Sequence, residues 1–246
     1  MKLCLVLVCF VLSNVALAER CDIDRDHLAA DYEIVTESAG GKAKETALLT
    51  LWRRGAQVAV EDKTRKITSV WEKTRNNKLK LTRYFLQYER GIEYQPSDLP
   101  IQNADSAWLS KYQLIDDTFI NSLVKESSSG SGCTQQEIYK KDGIRLVWNP
   151  ALKLIDRYTE QTAEGSLSWT RQALSKDVAK IEAQYAGLDK FITTDYIDIG
   201  DSESDPFFQK LINLGFVEHG ASGFYDASGN AIQGKGDQHG EGHHHH

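Results

Sequence analysis

The residues best suited to metal chemistry stand at the end of the chain. His239 and then His243, His244, His245 and His246 follow one another amid glycine, with Asp237 and Glu241 nearby. Neutral imidazoles on a flexible glycine-rich segment bind Cu, Zn or Ni without a folded scaffold. Nothing in such a tail fixes a coordination geometry or holds a position open, so it suits metal binding or delivery and not a catalytic centre. An expression tag is the alternative reading, although four terminal histidines are fewer than a usual tag. Apart from that tail the sequence calls for no cofactor.

Three other groupings carry fewer possibilities. Asp195, Asp198, Asp201, Glu203 and Asp205 lie close together, as carboxylates around a hard cation would, but they match no calcium-loop spacing, and an acidic loop with a helix cap accounts for them. Asp22, Asp24 and Asp26 alternate like the start of a calcium loop. The sixth and twelfth positions of that loop, however, are His27 and Glu33 instead of glycine and a bidentate glutamate. A solvated terminus or a cap is expected there. Glu218-His219 could act as base or ligand, yet no motif pairs a serine or cysteine nucleophile with it. No catalytic residue is assigned and no enzyme is expected; an uncharacterised hydrolase ranks behind a binding protein.

The first 18 residues explain the cysteine pattern. Met1 to Ala18 carries one basic residue, an apolar run from Leu3 to Leu12, and Ala16-Leu17-Ala18 in the small-x-small pattern of a cleavage site, which together read as a signal peptide. Its removal takes Cys4 and Cys9 and leaves Cys21 and Cys133 to meet in an oxidising, periplasmic or secreted compartment, where one disulfide is expected. No later stretch reaches the roughly 20 apolar residues of a membrane span, so a soluble protein with no transmembrane segment is expected. A net charge of −6 with no basic patch excludes nucleic acid and anionic membrane surfaces as partners.

Positioning any site falls to strands. Thr46 to Tyr94 reads as a meander: Thr46–Trp52 is apolar on both faces, and Gln57–Glu61, Ile67–Glu72, Lys78–Phe85 and Gly91–Tyr94 alternate with the period of two that a sheet requires. In Lys78–Phe85, Arg83 shares a face with Leu79, Leu81 and Phe85; in the first strand, Arg53 shares one with Leu49 and Leu51. Asp31–Glu37 reads as an earlier strand. A loop from Ser97 to Ser106, a helix from about Asp116, and a flexible linker at Ser127–Gly132 are expected next. Thr134–Lys140, Ile144–Trp148, Lys153–Glu160 and Ser166–Leu174 form a second meander with turns at Asp142-Gly143, Asn149-Pro150 and Glu164-Gly165. The period then lengthens to that of helices, one capped by Ser175 and stopped by Gly187, the other running from Asp205-Pro206 to Gly215 with Phe207, Leu211, Ile212 and Leu214 on its apolar side.

The signal segment, the strand around Leu51-Trp52-Arg53-Arg54-Gly55, the run Gly55 to Glu61, and Asp142-Gly143-Ile-Arg-Leu-Val-Trp148-Asn-Pro-Ala-Leu152-Lys-Leu154 give a strand pattern that resembles the periplasmic lipoprotein carrier LolA and its relatives, including the sensor RseB. The resemblance spans about Asp31 to Leu174, and the chain beyond Leu174 departs from that family. It implies an incomplete β-barrel closed by helices, with an apolar interior that holds acyl chains or a peptide. The expected fold is mainly β with some α: a curved antiparallel half-barrel of about ten strands in one β-rich domain at 19–233, with helices at about 175–226 and a disordered histidine-rich tail at 234–246. Trp52, Trp71, Phe85, Trp148 and Trp169 are the aromatics that could line its interior around a lipid or other apolar ligand, or simply fill it.

Overall fold

Alternation with a period of two residues runs, with interruptions, from His27 to Ser175, and each alternating run becomes a strand. The computed structural model describes residues 20–41, 43–202, 205–213, 224–225 and 231–232. The signal segment, Glu218, His219 and the histidine tail lie outside the described residues. The strands are β1 (His27–Ser38), β2 (Lys44–Arg54), β3 (Gln57–Asp62), β4 (Ile67–Lys73), β5 (Leu79–Phe85), β6 (Arg90–Tyr94), β7 (Val124–Ser129), β8 (Gln136–Lys141), β9 (Ile144–Asn149), β10 (Leu154–Gln161), β11 (Gly165–Ser175) and β12 (Ile192–Asp195). Two short strands, β13 (Phe224–Tyr225) and β14 (Ala231–Ile232), pair with each other. The helices are α1 (Ala104–Gln113), α2 (Asp117–Ser122), α3 (Val178–Leu188) and α4 (Pro206–Asn213).

The two meanders form one open curved sheet of twelve strands in the order β12-β6-β5-β4-β3-β2-β1-β11-β10-β9-β8-β7. Strand β1 joins them. Ala30 stands opposite Leu51 of β2 on one side, and Ile34 stands opposite Trp169 of β11 on the other. The fold is mainly β, as expected, and two strands exceed the expected ten.

Both extra strands overturn local readings. Of the expected linker Ser127–Gly132, Ser127–Ser129 belong instead to the edge strand Val124–Ser129: every residue in it is exposed, yet its backbone pairs with β8, Ser128 standing opposite Glu137. An edge strand has no apolar face to bury, so serines suffice where the backbone supplies the bonds. Strand β12 runs parallel to β6, the one departure from the antiparallel expectation in the main sheet.

The other corrections concern ends and helices. The first strand begins at His27, four residues ahead of Asp31, because Leu28, Ala29 and Ala30 are buried within the sheet, so only the segment before them is a solvated terminus. Helix α1 occupies part of the expected loop and lies ahead of the expected helix start; the Asn103 side chain caps it by accepting from the Asp105 and Ser106 backbone amides. Helix α3 is capped by Asp177 instead of Ser175, and it runs through Gly187 to Leu188. In α4, the Asp205 carboxylate accepts from the Phe207 amide at 2.9 Å and Pro206 opens the helix, as expected. Gly215 lies outside the described residues.

Side chains sort to two faces. Leu28, Ala30 and Tyr32 of β1 point to an inner face, together with Leu51, Val58, Leu146, Trp148 and Trp169, and α1 and α2 pack there through Tyr112, Ile120 and Leu123. Toward the β6 edge the inner face is covered by α4, whose Phe207, Phe208 and Leu211 pack on Trp71, Leu81, Phe85 and Tyr94. The outer face of β1–β5 carries Ala29, Trp52, Ala59, Val70 and Tyr84 beneath Ile181, Tyr185 and Leu188 of α3. Coverage on both sides is what the doubly apolar Thr46–Trp52 run requires. Each fully buried Leu or Phe in these clusters contributes about 1.5–3 kcal/mol.

Candidate functional site

Among the cationic side chains that reach the inner face, Arg53, Arg83 and Lys111 are satisfied very differently. Arg53 lies on the same side of β2 as Leu49 and Leu51, and is fully buried. Its Nε donates to the Tyr112 carbonyl at 2.8 Å, Nη1 to the Leu152 carbonyl at 2.7 Å and the Arg25 carbonyl at 3.1 Å, and Nη2 to the Lys153 carbonyl at 2.5 Å. The guanidinium carbon lies 3.8 Å from the centre of the Tyr112 ring. Tyr112 sits in the last turn of α1, whose end carbonyls lack helical partners, so a cation there meets both free acceptors and the negative end of the helix dipole. Burial pushes the Arg53 guanidinium down from its ordinary value to about 10, still charged at neutral pH.

The acceptors of Arg53 are themselves held in place. The Tyr112 hydroxyl lies 2.6 Å from the Asp26 carboxylate, and the side chain of Asn149 donates to the Cys133 carbonyl at 2.8 Å while accepting from the Leu152 amide at 2.9 Å. Cys21 and Cys133 form the expected disulfide, with Cα atoms 4.4 Å apart and a sequence separation of 112. A loop of that size corresponds to about 4–5 kcal/mol in the chain-entropy account of cross-links.

Among the described residues Arg83 and Lys111 have no comparable partners. In the register of the first meander Arg83 stands opposite Ser69 on β4 and Ile92 on β6, one row from the Trp71–Leu81 pair on the same face. Lys111, on α1, reaches down so that its ammonium lies 4.9 Å from the centre of the Trp71 ring. Burial first, and the charge of Arg83 second, push the Lys111 ammonium down to about 8.

Beside the buried core, the inner face carries a band of half-buried apolar side chains. Ile34, Leu49, Val60, Ile144, Tyr158 and Leu167 continue the rows of Tyr32, Leu51, Val58, Leu146 and Trp169, but keep part of their surface in solvent. Phe119 of α2 stands over Tyr158 with ring centres 6.2 Å apart. The tyrosine rim is polar at its tips, since the Tyr158 hydroxyl donates to Glu160 at 2.8 Å and that of Tyr139 to Glu137 at 2.6 Å. Burial and the neighbouring carboxylate push the Tyr139 hydroxyl up to about 12.

The five aromatics singled out from sequence do not share one space. Trp148 and Trp169 belong to the inner cluster around Tyr32, the Tyr32 and Trp169 rings meeting edge-on at 6.2 Å. Trp71 and Phe85 belong to the separate inner cluster under α4. Trp52 points to the outer face, donates from Nε1 to Glu61 at 2.9 Å, and has its carbonyl hydrogen-bonded by the Tyr185 hydroxyl at 3.1 Å. All five are 5% exposed or less, which is packing density and not an open lining.

Members of both acidic groupings are engaged in local structure, and Glu203 lies outside the described residues. Asp195 accepts from the Gln95 amide nitrogen at 2.9 Å, and Asp205 from Arg90 at 2.7 Å besides capping α4. Asp24 accepts from the Asp26 amide at 2.9 Å and contacts the His27 ring at 2.8 Å, turning the chain into β1. Among the described residues no three His, Cys, Asp or Glu side chains gather as a metal site would require. On the outer face a cavity of about 140 Å³ lies between α3 and the sheet. Its polar walls bond to one another: Arg54 donates to Gln57, Gln57 to Glu72 at 3.0 Å, and Arg54 stacks 3.9 Å from the Tyr185 ring.

Sequence reasoning passed over Arg53, Arg83 and Lys111 as functional candidates. A signal was present for the two arginines, each a charged residue on the apolar face of an alternating strand. No such signal marks Lys111.

No protein-family model matches the chain, and no curated protein matches it. Among solved structures the chain is similar to a domain described as an outer membrane lipoprotein-sorting protein from Vibrio parahaemolyticus, at 7% identity over 67% of this chain and 92% of that one, with a TM-score of 0.31. Among the described residues no helix is long and apolar enough to cross a membrane.

Proposed function

We propose that this chain is an exported, non-enzymatic carrier that holds the acyl part of a lipid-like molecule against the inner face of its curved sheet. The observation that carries this reading is the band of half-buried apolar side chains from Leu49 and Ile34 across to Leu167, Tyr158 and Ile144. An apolar strip continuous with a core, and rimmed by tyrosine hydroxyls paired with carboxylates, has the composition of a ligand groove. Each methylene withdrawn from water there contributes about 0.8 kcal/mol, so a long chain gains affinity without any directional contact. Trp148 and Trp169 pack in the core beneath this band and support it, without lining it.

Two further features fit. The Cys21–Cys133 bond belongs to an oxidising compartment, which agrees with the signal segment. Among the described residues the inner face presents no nucleophile beside a general base, as a hydrolase would require.

Native mass spectrometry of the purified full chain, with and without prior organic extraction, tests the reading. Wild type is expected to carry or take up a long-chain alcohol such as dodecanol, and Ile34→Asp or Leu167→Asp to lose it while remaining folded by circular dichroism. A wild-type chain that neither retains an acyl species nor binds the alcohol overturns the carrier reading.

A further inference from the structure

Arg83 and Lys111 are cations set among Trp71, Leu81 and Ile92 with no anion to meet them. Among the described residues neither is paired with a carboxylate or donates to a carbonyl, and two acids of the neighbouring elements are already engaged. Asp105, on α1 itself, accepts from Lys73 at 2.8 Å and from Asn77 at 3.2 Å. Asp62, on the inner side of β3, accepts from the Arg65 amide at 2.8 Å and pairs with its guanidinium at 3.6 Å. What Lys111 does meet is the Trp71 ring, a contact that holds an ammonium without neutralising it. Two like charges sharing an apolar surface repel and resist desolvation, so the arrangement is unfavourable until an anion arrives.

We propose that Lys111 and Arg83 form the head-group site of the groove, binding the carboxylate or phosphate of a single-chain anionic amphiphile. This deepens the carrier reading and rests on it. The position suits the chemistry. From Arg83 the inner face passes through Ser69 to Val60 in register, and then diagonally past the buried Leu51 to Leu49 and Ile34; Ser69, Val60, Leu49 and Ile34 are half-buried and so leave a path for the tail. From β5 to β1 is four strand spacings, about 19 Å, the scale of a long acyl chain. A guanidinium and an ammonium from different elements also suit an anion with several oxygens, each cation taking its own.

Titration of the full chain with dodecyl phosphate, dodecanol and inorganic phosphate, followed by Trp fluorescence and calorimetry, separates the possibilities. Dodecyl phosphate is expected to bind wild type about tenfold or more tightly than dodecanol, each charge-assisted hydrogen bond supporting about a tenfold gain. Lys111→Met is expected to remove about tenfold of the dodecyl phosphate affinity, leave dodecanol unchanged, and raise the ligand-free melting temperature by about 2–4 °C. A merely structural lysine would instead lower the melting temperature and weaken both ligands together. Arg83→Met repeats the affinity test from the sheet side; if it does not fold, Lys111→Met decides alone.

Equal binding of alcohol and phosphate ester by wild type overturns the head-group site and leaves the carrier reading standing. Inorganic phosphate binding as tightly as its dodecyl ester overturns the amphiphile and leaves only an anion site. Failure of both amphiphiles overturns the carrier reading and the inference with it.

Discussion

Arg53 and Arg83 occupy the same face of the same sheet, and Lys111 reaches that face from α1, yet Arg53 and the Arg83–Lys111 pair stand at opposite ends of what a buried cation can be. Arg53 is fully buried and meets four backbone carbonyls from three separate segments. Arg83 and Lys111 meet a serine row and an indole ring. Charge on an inner face therefore does not by itself identify a role; the supply of acceptors does. Where carbonyls converge, a guanidinium is a clasp joining α1, the turn between β9 and β10, and the N-terminal segment. Where none converge among the described residues, the charge is open to an anion from outside the sheet.

The comparison breaks first at Arg53. Arg53→Met leaves four buried carbonyls without donors and should cost about 3–5 kcal/mol, read as a fall in the urea midpoint. Arg53→Lys should recover only part of that, because a point charge cannot fork between separate acceptors. A loss below about 1 kcal/mol for Arg53→Met would mean that the carbonyls find water, and that the clasp is incidental.

Next comes the disulfide, which holds Cys21 close to the Arg25 carbonyl that Arg53 uses. Replacing both cysteines by serine is expected to cost about 2–5 kcal/mol in thermal or denaturant unfolding. If the double variant combined with Arg53→Met loses no more than the larger single effect, the two act as one unit; full additivity would separate them.

The smallest effect has the opposite sign. Lys111→Met should stabilise the ligand-free protein by about 1 kcal/mol at pH 7, since it removes a partly desolvated charge with no anion beside it. The pH dependence follows from linkage. The folded-state value lies near 8 against an ordinary 10.5, so between those values the unfolded chain binds more protons and this group makes stability rise with pH. The advantage of Lys111→Met over wild type should accordingly shrink as pH is raised from 7 to 10. A difference in melting temperature that stays flat over that range would show that Lys111 is not desolvated.

Much of the strand layout was legible because it rests on local alternation. In Leu79–Phe85 each inner residue is flanked by an outer one, and the face that holds Leu81 and Phe85 is the one the helices cover. Legibility failed where structure is carried by backbone alone or by weak patterns. Ser127–Ser129 pairs as an edge strand with no apolar residue to announce it. Helix α1 offers only Ala104, Ala107, Trp108 and Tyr112 to two different clusters, so no single apolar stripe marks it in the sequence. The five candidate aromatics were correctly assigned to strands, but parity alone sends Trp52 to the face opposite Trp71.

The sequence by itself determined the period-two segments, the turns such as Asp142-Gly143, where both residues have positive φ, and the presence of arginines on apolar faces. These depend on neighbours within a few residues, and short-range sterics and alternation dictate them. Only the tertiary structure decided what those arginines do. The acceptors of Arg53 arrive from positions 59, 99 and 100 residues away, and the helix that brings Lys111 over Trp71 crosses from one cluster to another. Whether a buried charge is answered is a long-range property, because desolvation is felt locally while the groups that compensate it can come from anywhere in the chain.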